Sequence, residues 1–246
     1  MNWTEWTQYF QRNRQHLLSI NWEDTYRLSD YEKTAILASL QQFQLGESSE
    51  GKHLLAAAQR FADHSGEADY VSALQLFIQE EQRHARDLER FMMQQGLPLA
   101  QHHPVDSIFR WLRRSFNLEV CIVALLMAEI IAVAYYKALH DATAAPVLRG
   151  ICQQILRDEA QHLRFQLDTL ARLRCGRSPI RFFVTDIFQR ILFVGILMVV
   201  WSGHRRVFRA GGVSFGQFWW LNWWRFNRLF AWFGTRLAKA NALLKL

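Results

Sequence analysis

Two short motifs recur along this chain, Glu81-Gln-Arg-His84 and Glu159-Ala-Gln-His162. On a helix, positions i and i+3 share a face, so each motif offers one carboxylate and one imidazole to a common point. Further acids precede them at matching distances. Glu129 stands 30 residues before Glu159, Glu50 stands 31 before Glu81, and Glu47 stands 34 before it. Oxygen and imidazole donors without thiolate suit iron or manganese better than a structural zinc site. Four carboxylates offset the charge of two divalent ions, so such a site can be buried near neutrality.

One Glu-x-x-His alone is a weak signal, because solvated helix faces carry many acids and histidines. Two in register, each with an upstream acid, are much stronger. Glu129 is the sole charge between Cys121 and Tyr136. A lone carboxylate in such an apolar stretch is costly unless it is paired, protonated or bound to a cation. Glu119, ten residues earlier, lies off that face and reads as structural. Glu80 and Asp158 each precede a motif glutamate. Metal-bound histidines usually donate their second N–H to a carboxylate, so the expected pairs across the bundle are His84 with Asp158 and His162 with Glu80. Tyr135 and Tyr136 follow Glu129 by two turns, and Tyr136 is the candidate for a hydrogen bond near the metals or an electron relay. Cys152 reads as small core filling.

These residues need long helices to hold them, and the composition supplies them. Four prolines and twelve glycines are few for 246 residues, and stretches rich in Ala, Leu, Gln, Glu and Arg predict an all-α chain. Ser29 with Glu32 is a capping box, predicting a helix from Asp30 to about His64 with Gly46 and Gly51 inside it. The turn at His64–Glu67 leads to a second helix, Ala68 to Gln95, stopped by Gly96-Leu-Pro98. A short helix is expected from Asp106 to Arg114, then a third long helix from Asn117 to His140. Pro146 opens a fourth, which runs to Arg174. Asp63 precedes Glu81 by 18 residues and Asp141 precedes Glu159 by 18, so a helix pair repeats with its turns in register. The domains expected are an N-terminal arm at 1–28, a four-helix bundle at 29–174 and a helical, aromatic-rich extension at 175–246.

The ligand arithmetic, one Glu from each of two helices and Glu-x-x-His from each of the other two, is that of di-iron carboxylate bundles. GES at 46–48, EEQRHARDL at 80–88, AEIIAVAYY at 128–136 and DEAQH at 158–162 resemble the ferritin-like di-iron superfamily. The first motif region is similar to rubrerythrin and the second to aldehyde-deformylating oxygenase. The resemblance covers about residues 40–170 and leaves out the C-terminal segment. It implies that Glu81 and Glu159 bridge two metals, that His84 and His162 bind one each, and that Glu129 is a terminal ligand. For the first helix, a Gly-Glu pair in related families points to Glu47, while internal symmetry favours Glu50. The implied cofactor is two iron ions, with manganese as an alternative. The implied activity is O₂-activating oxidation of a hydrophobic or aromatic small molecule: hydroxylation, N-oxygenation, desaturation or deformylation. The three cysteines, Cys121, Cys152 and Cys175, form no C-x-x-C, so no rubredoxin-type centre is built in and a separate reductase or ferredoxin is expected. Competing readings are a ferroxidase or peroxide scavenger, and a membrane- or partner-binding helical protein whose metal site is structural.

The chain carries +7, yet residues 175–246 hold eleven Lys/Arg and one acid, Asp186. The first 174 residues are therefore net acidic, and the two parts face different surroundings. An apolar run from Ile191 to Trp201 is short for a membrane span and predicts a fifth helix packed on the bundle. Beyond it, FGQFWWLNWWRFNRLFAWF at 215–233 places Gln217, Arg225 and Arg228 on one helix side amid aromatics. That pattern suits peripheral membrane contact through 205–233 or a homodimer interface; nucleic acid, though compatible with it, is not the expected partner. MNWTEWTQYF lacks the basic start and apolar core of a signal peptide. The expected location is the cytoplasm, with a peripheral contact on the inner membrane face as an option.

Overall fold

The computed structural model describes residues 1–48, 51–100 and 117–243, with side chains along the last helix as far as Ala231. Its elements are α1 (Trp3–Asn13), α2 (Asp30–Glu47), α3 (Lys52–Ser65), α4 (Ala68–Gln94), α5 (Leu118–Asp141), α6 (Pro146–Leu173), α7 (Pro179–Ala210) and α8 (Phe215–Leu243). No strand occurs among the described residues. The expected helix at Asp106–Arg114 lies outside the described residues.

The capping box at Ser29 forms as its residues dictate, with Glu32 N–H donating to Ser29 and Ser29 N–H donating to the Glu32 carboxylate at 2.8 Å. Glu32 also accepts from Thr143 Oγ1 and the Ala144 N–H, both at 2.9 Å, which ties the start of α2 to the turn after α5. Burial would raise the Glu32 carboxyl, but hydrogen bonds from Ala144, Ser29 and Thr143 hold it at about 2. The single helix expected from Asp30 to His64 is two helices. Gly51 sits at φ +65° as the N-cap of α3, a left-handed conformation that interrupts the α-helical path. A Cβ there would lie 2.6 Å from Ile78 Cδ1, so glycine also lets the chain pass close to α4.

Helix α5 is apolar nearly all round and pairs with α6 along most of its length, while α4 packs on α2, α3 and α6. These helices make the bundle that positions the motifs. The segment expected as an arm is firmly docked. Helix α1 lies on α4 and buries Trp3, Trp6, Phe10 and Asn13, positions i, i+3, i+7 and i+10 of one stripe. Phe10 and Trp6 pack edge-on against Phe165 of α6 at 5.3 and 5.4 Å. Helix α7 covers the predicted apolar run and extends beyond it at both ends, resting on α5 and α2. Helix α8 rests on α5 and α6. The two are joined by Phe193 stacked on Phe226 at 4.5 Å and by Arg190 donating to Asn227 at 2.6 Å.

Candidate metal centre

The motif residues on α4 and α6 converge inside the bundle. His84 and His162 are fully buried, and their ring centroids are 5.7 Å apart. Each ring meets an acid from the opposite motif: His84 Nε2 lies 3.0 Å from Asp158, and His162 Nε2 lies 3.0 Å from Glu80. Burial would raise the Asp158 carboxyl, but the hydrogen bond and charge of His84, with Arg83, pull it well below the usual range. An ionised Asp158 can only accept, so His84 donates to it through Nε2 and turns Nδ1 to the interior.

Around those Nδ1 atoms the carboxylates form two sets. One donor atom each from Glu47, His84 and Glu159 lie within 4.8 Å of one another, and so do donors from Glu81, Glu159 and His162. Glu159 belongs to both. Glu81 Oε1 is 3.8 Å from His84 Nδ1 and 2.8 Å from His162 Nδ1, so it too stands between the rings. Glu129 belongs to neither set; its Oε1 accepts from Gln166 at 3.3 Å and its Oε2 is buried without a partner. Tyr136 donates to Glu47 at 2.7 Å. Of the two first-helix candidates, Glu47 lies at the site and Glu50 lies outside the described residues.

The electrostatics are those of crowded, buried carboxylates. Burial, then repulsion from neighbouring glutamates, pushes Glu47 and Glu159 well above the carboxylate range. Burial lifts Glu129 to about 8, against the opposing pull of His162. Glu81 is also pushed up by burial, but His162 and His84 outweigh this and hold it at about 2. Three donor atoms, His84 Nδ1, Glu129 Oε2 and Glu159 Oε2, are buried with no hydrogen-bond partner, and Glu81 Oε1 and His162 Nδ1 face each other at 2.8 Å. An orphaned buried donor or acceptor costs about 1–3 kcal/mol, and more when charged. Hard oxygen and imidazole donors facing one space fit iron or manganese.

Some residues at the site carry no motif. Asn13, at the end of α1, donates to Glu80 at 2.7 Å and to Asp158 at 2.8 Å, joining the two acids that hold the histidines. Its one trace in the sequence is its place next along the stripe of Trp3, Trp6 and Phe10. Gln154 Nε2 reaches Asp158 at 2.9 Å from one turn away on α6. Gln166 donates to Glu129 from one turn after His162, and its one signal in the sequence is that i+4 spacing. Glu119 sits far from the cluster and pairs with Arg174 and Arg177. Cys152 is buried, and burial raises its thiol. A small cavity of about 180 Å³ lies between α5, α6 and α8, lined by Val133, Leu156, Ala160, Leu163 and Leu229, with Arg225 and Arg228 beside them.

No family model and no curated protein matches the chain. Among solved structures it is similar to a point mutant of an R2-like ligand-binding oxidase with aerobically reconstituted Mn/Fe cofactor, at TM-score 0.65 and 17% identity over 93% of each chain. A second such oxidase, also with reconstituted Mn/Fe cofactor, aligns at TM-score 0.60 and 17% identity over 96% of this chain and 91% of that one. A further point mutant gives TM-score 0.61 over 97% and 93%. At this identity the likeness shows the fold, and the chain has the ferritin-like helical bundle of these oxidases.

Proposed function

We propose that this protein is a two-metal oxidase that activates O₂, holding two iron ions or one manganese and one iron. The observation that carries the reading is the convergence of buried glutamate and histidine donors from three turns of α4, α5 and α6, three of those atoms having no hydrogen-bond partner. Glu47, His84 and Glu159 would hold one cation, and Glu81, Glu159 and His162 the other, with Glu129 completing the shell. When bound, the metals supply electrons to O₂.

The protein groups supply geometry and dryness. Asp158 and Glu80 fix the ring orientation of His84 and His162 through Nε2, leaving Nδ1 as the donor. Phe10 and Phe77 wall His162 at 6.3 and 4.8 Å between ring centroids and exclude water from that side. Tyr136 keeps its proton, since burial and the adjacent Glu47 raise its hydroxyl, and it holds that proton on the Glu47 carboxylate.

The substrate class we propose is a hydrophobic or aromatic small molecule. Val133, one turn from Glu129, lines the apolar cavity beside α5, and this supports the reading. With its cysteines scattered, the chain would draw electrons from a separate reductase or ferredoxin.

The test is metal content after loading with iron and manganese, for the natural sequence and for Glu159→Ala. About two metal ions per chain, halved or lost in the variant and accompanied by O₂ uptake on reduction, is the expected result. Folded protein that takes up no metal would overturn it.

A further inference from the structure

Helix α7 has two faces of opposite meaning. Gln189, Phe193, Leu197, His204, Val207 and Phe208 are buried against the bundle and α8. On the other side Ile180, Phe183, Val184, Ile187, Phe188, Ile191, Met198 and Val199 are exposed. At about 100° per residue these eight positions fall on one stripe, roughly 30 Å long at 1.5 Å per residue. Ile180 is 77% exposed, Ile191 67% and Phe188 64%, so these are side chains in solvent and not core residues at an edge. The helix is apolar enough and long enough to cross a bilayer, yet only 17% of its apolar window is buried. Its other face is packed on α5 and α2, so it lies along the molecule.

The same stripe ends in cations. Arg205, Arg206 and Arg209 continue it on the exposed side, one to three turns beyond Val199. Trp220, Trp224 and Arg228 form a second exposed stripe on the adjoining helix α8. Arg225 has a buried Nη1 with no partner. The lone acid of residues 175–246, Asp186, is taken by Arg190 at 2.7 Å. Apolar side chains flanked by arginine and exposed tryptophan are the make-up of a helix lying in a membrane interface.

We infer that the exposed face of α7, with Arg205, Arg206 and Arg209 at its end, docks this protein on the surface of an anionic bilayer. Charge chooses this occupant over a second copy of the chain. A two-fold contact sets the same patch against itself, so the strongly basic face would meet a basic face. An anionic lipid surface complements it. The apolar stripe would sit at the boundary of headgroups and acyl chains, with the arginines at headgroup level.

Flotation of the full chain with vesicles tests this. The chain should float with phosphatidylcholine vesicles containing phosphatidylglycerol, and float far less with pure phosphatidylcholine or at high salt. Replacing Arg205, Arg206 and Arg209 by Gln together should lower partitioning roughly a hundredfold at low salt, at ~1 kcal/mol per arginine. Ile187→Glu with Phe188→Glu should abolish flotation while circular dichroism and metal content stay unchanged, since both side chains are exposed. Three results would overturn the inference: no flotation with anionic vesicles, equal flotation with neutral ones, or a dimer in sedimentation that ignores vesicles and is split by the Ile187→Glu, Phe188→Glu pair. The last would give the face to a second copy.

Discussion

In the bundle, α4 and α6 turn carboxylates and imidazoles inward; on α7, isoleucine and phenylalanine turn outward. Each region reverses the ordinary rule of polar outside and apolar inside, and each reversal is costly alone. Buried carboxylates are stable only with a counter-charge. An apolar stripe some 30 Å long is stable in water only under a cover. Positive charge would offset the first and an apolar surface the second, so the polarity of each region names what would complete it. The two halves also differ in charge, acidic before residue 175 and basic after it, in keeping with a cation for one and an anionic partner for the other.

The comparison can be broken first at the inner face of α7. Phe193 is fully buried and stacked on Phe226, so Phe193→Ala should destabilise the fold by about 3–5 kcal/mol in denaturant titrations. A loss below ~1 kcal/mol would mean that the hairpin is not held as described. Metal comes next. At a thousandfold excess over its dissociation constant, a cation bound only by the folded state adds about 4 kcal/mol. Scanning calorimetry should show Tm raised by roughly 10 °C on loading, and no such rise in Glu159→Ala.

Asn13→Ala leaves Glu80 and Asp158 without a shared donor and should cost about 1–3 kcal/mol. It should also weaken metal binding roughly tenfold or more, read by competition with a chelator, as expected for the loss of a group that orients ligands. A further effect is set by pH in the metal-free protein. Glu129 is raised from 4.5 to about 8 in the folded state. A raised carboxyl binds its proton more tightly when folded, so its stabilisation is complete below pH 4.5 and is lost as pH rises through 8. Metal-free protein should therefore lose stability across that window, and loaded protein should not. Last, Phe188→Ser on the outer face of α7 should move stability by less than ~0.5 kcal/mol, against the large loss at Phe193 five residues away.

What the sequence made legible was local. Glu-x-x-His is a spacing within one helical turn, and the repeat in register showed that α4 and α6 carry equivalent faces. Ser29 with Glu32, Gly96 and Pro146 marked helix ends through their own backbone chemistry. What it hid depended on contacts between distant residues. Asn13 works only because α1 folds back onto α4, a placement no spacing encodes. The break before α3 is set jointly by the left-handed Gly51 and by Ile78, which has no room for a Cβ opposite it. Helix α7 read as a fifth helix packed on the bundle, with no sign of which side would stay exposed, since its composition is the same whichever way its apolar side chains point. Its exposed side was visible only once α5 and α2 had claimed the other.

The bond from Asn13 to Asp158 spans 145 positions, and that to Glu80 spans 67. One amide on α1 thus clasps the two acids that orient the histidines, so whatever loosens the docking of α1 on α4 is felt inside the chamber without any change in its ligands.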